Sequence, residues 1–167
     1  MSKKTLIILY SYHHKNTEKV AKVMAEVLNA SIKYPAQIDV NALKYYDLIG
    51  FGSGIYGGKH HKSILKLVKQ LRSVDKTKAF IFSTDGTPRG LMKFDSKLKN
   101  QSFQNHDKLR NLLNKKGFEI VNEFNCGGYN TNSFLKVFGG INKGRPNSVD
   151  LKRAKEFAIK LEKEIII

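Results

Sequence analysis

Apolar residues along this chain come in two rhythms that alternate: short unbroken runs, and positions three and four apart. Between Thr5 and Tyr10, Leu6, Ile7, Ile8 and Leu9 are continuous, the pattern of a strand covered on both faces. After polar Ser11 to Lys15, the positions Val20, Met24, Val27 and Leu28 recur at helical spacing, with Asn16 or Thr17 placed to cap the helix start. Ser31 to Val40 is read as holding a short second strand, interrupted by Pro35. Leu48, Ile49, Gly50 and Phe51 form a third strand, ended by Gly52-Ser53-Gly54. Behind Ser63, the residues Ile64, Leu67, Val68 and Leu71 fill one face of a helix. Ala79 to Phe82 reads as a fourth strand, Leu109, Leu112 and Leu113 as a helix stopping at Gly117, and Phe118 to Phe124 as a fifth strand. A last, capped helix turns Ala154, Phe157, Ala158 and Leu161 inward. Two polar stretches, Asp85 to Asn105 and Cys126 to Asn147, are loops of a length associated with functional lids or disorder.

Strands alternating with helices at this spacing predict an α/β fold with a mostly parallel sheet and helices on both faces. A chain of 167 residues, 41% of them hydrophobic, supports one such core, so residues 1–167 are read as a single domain. In sheets of this kind ligands bind beyond the carboxyl ends of the strands, where strand order reverses. No apolar run approaches the ~20 residues of a membrane span, and Met1 to Lys4 leads into a strand too short for a signal peptide, so a cytoplasmic location is expected. The lone Cys126 cannot form an internal disulfide; a buried structural thiol is the default for it and a redox thiol the alternative.

The candidate chemistry lies where strands give way to helices. In Ser11-Tyr12-His13-His14-Lys15-Asn16-Thr17, two hydroxyls, an amide and the open N–H groups of a helix start can wrap a phosphate. No G-x-x-x-x-G-K-[ST] or G-x-G-x-x-G follows the strand, which disfavours nucleoside triphosphate hydrolysis and a dinucleotide fold. The second segment, Gly52-Ser53-Gly54-Ile55-Tyr56-Gly57-Gly58-Lys59-His60-His61-Lys62, lets backbone approach a flat ligand and offers the Tyr56 ring to lie on it. The pairs His13-His14 and His60-His61 fall in these two loops; neighbouring side chains seldom converge on a metal, so they are read as lining a site mouth.

With these two segments in place, nearly the whole chain resembles the flavodoxin family. The resemblance implies a three-layer domain with a five-stranded parallel sheet in the order 2-1-3-4-5 and FMN at the switch point between strands one and three. Ser11, His13, Asn16 and Thr17 would then hold the phosphate, with Tyr12, His14 and Lys15 in the same turn. Tyr56 would cover the flavin beside Ser53, Gly54, Ile55 and Gly57, and Ser83, Thr84 and Gly86 would line the far edge. Tyr12, Phe94 and Tyr129 are the other rings able to stack. The chain departs from the family in having His13, His14 and Lys15 where Thr, a small residue and Gly are common, and in lacking tryptophan and a tyrosine in Ser83 to Pro88.

Charge sets it further apart: 30 Lys and Arg against 14 Asp and Glu leave a formal +16, whereas flavodoxins that serve basic partners are typically acidic. A solvated basic surface is the default reading of this balance and an anionic partner the alternative, with the cations spread too evenly for a nucleic-acid stripe. Three functions follow as expectations. The first is an FMN-bearing electron carrier between partner proteins, and the second an NAD(P)H- or quinone-linked flavin reductase or oxidase. For the second, the Gly-rich loop with His60-His61 resembles that of flavodoxin-type protoporphyrinogen oxidases. The third is a binding domain that has lost its flavin.

Overall fold

A computed structural model describes residues 3–88 and 102–166. Five strands, β1 (Thr5–Tyr10), β2 (Ser31–Lys33), β3 (Leu48–Tyr56), β5 (Lys78–Asp85) and β6 (Glu119–Gly127), form a parallel sheet in the order β2-β1-β3-β5-β6. The two-residue β4 (Lys59–His60) pairs antiparallel with the end of β3 and stands off this path. With β4 set aside, the order is the expected 2-1-3-4-5. The described helices include α1 (Asn16–Leu28), α2 (Lys62–Gln70), α3 (Asp107–Lys115) and α4 (Ser148–Ile166).

The unbroken apolar run of β1 is explained by two cores. Leu6 and Ile8 pack with Phe51, Ile64, Val68, Leu109 and Leu113 on the α2–α3 face. Ile7 and Leu9 pack with Val20, Met24, Phe82, Cys126, Ala158 and Leu161 on the α1–α4 face. Cys126 is therefore a core residue inside β6, not the start of a loop. In β3, a Cβ on Gly50 or Gly52 would lie 2.3 or 2.2 Å from the rings of Phe80 or Phe82, their register partners on β5. Those two glycines let the neighbouring phenylalanines fill the layer.

Three local expectations are corrected. The third strand does not end at Gly52 but runs to Tyr56 and turns back through Gly57 and Gly58, whose φ angles of 54° and 72° suit a tight hairpin turn. The Gly-rich segment is thus a β-hairpin and not an open loop. Asn16 and Thr17 lie inside the first turn of α1, and its cap residue is Lys15, which offers no side-chain cap. Finally, the stretch read as a loop to Asn105 is already helical at 102–104.

Candidate functional site

The carboxyl end of β1 delivers Ser11 into a turn whose His14 and Lys15 both adopt left-handed backbone (φ 53° and 54°). Each such residue costs of order 1–3 kcal/mol, and strain of this kind concentrates at functional sites. Ser11 Oγ accepts the Glu18 N–H at 3.2 Å. The Asn16 N–H donates to the His13 carbonyl, the Thr17 amide between Asn16 and Glu18 has no acceptor within the helix, and the helix dipole favours an anion there.

Two bridges tie this turn to neighbouring strand ends. Thr17 Oγ1 lies 2.9 Å from Thr84 Oγ1 at the end of β5, in buried surroundings. Asn16 Nδ2 donates to the Tyr129 carbonyl at 2.8 Å, reaching the loop after β6. Between them opens a cleft of about 50 Å³, lined among others by Ser11, His13, Asn16, Thr17, Tyr56 and Thr84. Two glycines bring its walls close: a Cβ on Gly86 would lie 2.4 Å from Asn130, and one on Gly128 2.8 Å from Asn16.

Of the residues singled out in the sequence, Tyr12, Gly54, Ile55 and Gly86 also line this cleft. The others turn elsewhere. His14 bonds to Thr131 Oγ1 at 2.8 Å and packs on Tyr129. Lys15 pairs with Glu18 at 3.2 Å, and Gly57 sits in the hairpin turn. Ser53 and Ser83 are fully buried in networks behind the cleft, and Phe94 is outside the described residues. Sequence reasoning missed Asp85 and, apart from Tyr129 as an alternative stacking ring, the lining residues Gly128, Tyr129, Asn130 and Asn132. The last four lie on a loop closed by reciprocal backbone bonds between Asn130 and Ile141 (2.9 and 2.8 Å), a closure that no local pattern announces. Its Gly127-Gly128 pair, just beyond a strand core, was the available signal.

The sequence pattern of the Flavodoxin domain family matches residues 7–119, which take in most of β1, the turn, the hairpin and β5. The chain belongs to the flavodoxin family. It is 50% identical over 155 residues to an uncharacterised protein of Methanocaldococcus jannaschii, covering 93% of this chain and 95% of that one. Its fold is similar to that of oxidised Flavodoxin 2 from Bacillus cereus, with a TM-score of 0.68, 18% identity and coverage of 96% and 99%. A flavodoxin of Streptococcus pneumoniae matches with a TM-score of 0.67, 15% identity and the same coverage.

This flavodoxin domain carries a second cavity of about 320 Å³ that shares Tyr12, His13 and Tyr56 with the first and adds Tyr10, Lys59, His60, His61 and Lys62. The two adjacent histidines diverge, as expected. His61 stacks on Tyr10 at 3.8 Å and caps α2 by accepting the Ser63 N–H. Desolvation, then the Lys62 charge, lower its pKa. His60 does not lie at an open mouth but is buried, with Nδ1 3.0 Å from Ser53 Oγ and Nε2 without a hydrogen-bond partner. Desolvation, and then the neighbouring His106, drive its pKa well below 6.5, so this imidazole is neutral.

Beside His60 runs a chain of buried polar contacts. His106 spans Ser83 Oγ (2.7 Å) and Glu123 Oε2 (2.8 Å), and Arg110 clasps both oxygens of Glu123 at 2.5 and 2.8 Å. Burial pushes the Glu123 pKa up, but bonds from Arg110 and His106 outweigh it and hold the value at about 2. The set has the spacing of a serine–histidine–carboxylate relay, but Ser83 is fully buried and also accepts the Asn125 amide at 2.8 Å. It acts as a strut between β5, β6 and α3. Asn125 extends the strut to Asp85, whose carboxylate it meets at 2.8 Å on the cleft side. Among the described residues no three His, Cys, Asp or Glu side chains converge as a metal site would require. No described helix is long and apolar enough to cross a membrane.

Proposed function

We propose that the cleft at the β1–β3 switch point holds FMN and that the protein works in the cytoplasm as an electron carrier between partner proteins. The observation that carries this reading is the convergence of the strained β1–α1 turn, the Tyr56 hairpin and the loop after β6 on one cleft. Bound there, FMN would supply one- or two-electron transfer.

The donor set fits the cofactor in parts. The Thr17 amide and hydroxyl and the His13 ring suit a phosphate. Asn16 Oδ1 is buried without a partner, an acceptor suited to a ligand hydroxyl of the kind a ribityl chain carries. Tyr56, whose ring lies 3.2 Å from where a Gly54 Cβ would stand, suits the flat end. Asp85 and Gly86 bound the opposite wall.

The second cavity favours one competing reading, a flavin reductase or oxidase with a small-molecule partner seated beside Tyr56. Two measurements on the purified protein separate these. Flavin released on denaturation should be FMN, and steady-state NADPH oxidation with a quinone should be slow unless a reductase is added. Rapid turnover without one would replace the carrier by the reductase. A colourless protein that cannot be reloaded with FMN would reject both.

A further inference from the structure

The loop that closes the cleft has an outer face. At its tip Val137 and Phe138 are 82% and 80% exposed, the most exposed of the large hydrophobic side chains among the described residues. Scattered exposed apolar residues are ordinary, but this adjacent pair is held firmly. Gly140 N–H donates to the Leu135 carbonyl at 2.7 Å, and Phe138 N–H reaches the same carbonyl at 3.2 Å. Tyr129, a cleft residue, donates its hydroxyl to the Gly139 carbonyl at 3.1 Å. Gly139 and Gly140 turn the chain at φ 79° and 83°. A Cβ on Gly140 would come 2.7 Å from the Asn130 carbonyl, so the turn is built for glycine. An aromatic side chain presented on an ordered loop loses little entropy on docking.

The electrostatic setting points to one kind of partner. From Cys126 to Asn147 there is no Asp or Glu. Arg145 is engaged by Asp150, which leaves Lys136 and Lys143 around the tip. The hairpin segment Ser53 to Lys62 adds Lys59 and Lys62 and no acid, whereas Lys15 is paired with Glu18 and Asp85, at the end of β5, lines the cleft.

We propose that Val137 and Phe138 are the docking tip for an acidic redox protein that presents an apolar patch ringed by carboxylates. This rests on the electron-carrier reading and names the partner's chemistry. The aromatic tip supplies the central anchor, and the lysines at the cleft mouth set the approach. A second copy of this chain is disfavoured as the occupant by the repulsion of two +16 molecules. A membrane surface is disfavoured because the tip offers two apolar side chains and not an amphipathic helix.

The test is a calorimetric titration of a strongly acidic ferredoxin into the protein, with and without added FMN, at low and high salt. One-to-one binding that weakens with salt is expected. Phe138→Ser should weaken it roughly tenfold or more and Lys136→Glu several-fold. Val137→Ser is a second probe should the first variant misfold. Lys69→Glu, at the far end of α2, should bind as wild type does. Absence of binding at low salt would overturn the proposal. So would wild-type affinity in Phe138→Ser, or equal loss in Lys69→Glu. Phe138-dependent binding to phosphatidylglycerol vesicles in place of the ferredoxin, or Phe138-dependent dimers in sedimentation, would also overturn it. Docking through Phe138 by a chain that takes up no FMN would remove the carrier reading and leave this surface standing.

Discussion

Thr17 serves two structures at once, because its hydroxyl lines the cleft and also meets Thr84 across the gap between α1 and β5. Thr17→Ala should weaken FMN binding about tenfold, the loss of one hydrogen bond to a charged group, and should cost about 1 kcal/mol of stability from the stranded Thr84. Thr17→Ser should restore most of both, as fluorescence titration and chemical denaturation can show. Tyr56→Ala should raise the fluorescence of bound flavin and loosen it. Unchanged emission with FMN verified as bound would shift the stacking role to Tyr12 or Tyr129. At this scale the sequence was informative where a side chain follows directly from its turn, as with Ser11, Asn16 and Thr17. It was uninformative for Ser53 and Ser83. Each stands beside true cleft residues, yet each points at a histidine, His60 or His106, whose position depends on the finished sheet.

The elements were legible wherever hydrophobic period alone decides them. The buried run of β1 and the spaced apolar positions of α1, α2, α3 and α4 gave strand and helix where the fold has them. The β3–β4 hairpin escaped because Gly-Ser-Gly reads as a break, whereas tertiary packing recruits those glycines into the strand. Gly50 and Gly52 show why: their missing side chains are the space occupied by Phe80 and Phe82. Gly50→Ala should therefore destabilise by about 1–3 kcal/mol through overpacking, lowering the thermal midpoint without altering cleft residues. An unchanged midpoint would mean that Phe80 can move aside. The loop after β6 escaped for the opposite reason, since its contribution depends on the Asn130–Ile141 closure and on the reach of Asn16 to Tyr129, 113 residues away in sequence.

Over the whole molecule, charge governs how the protein responds to acid and salt. His60 is neutral and buried, with a folded-state pKa well below 6.5, so its contribution to stability is complete above about 6.5 and is lost as pH falls below it. Glu123, clasped by Arg110, and Glu18, held by Lys22, Tyr34 and Lys15, both have values near 2. Their contributions are complete above about 4.5 and are lost as pH falls from there toward 2. Acid unfolding should show two stages. His60→Gln should flatten the first and Glu123→Gln the second, in denaturation curves collected across pH. Because burial also disfavours charge on His61, the cationic field of the second cavity comes chiefly from Lys59 and Lys62 and not from His60 and His61. The midpoint potential of bound flavin should accordingly fall as salt screens those lysines. All of this presumes that the β1–α1 turn grips a phosphate, and the most direct measurement is a calorimetric comparison of FMN with riboflavin, which lacks that group. The account predicts one-to-one FMN binding at least a hundredfold tighter than riboflavin, a difference of about 2.7 kcal/mol. Equal affinities would show that the turn is not a phosphate site.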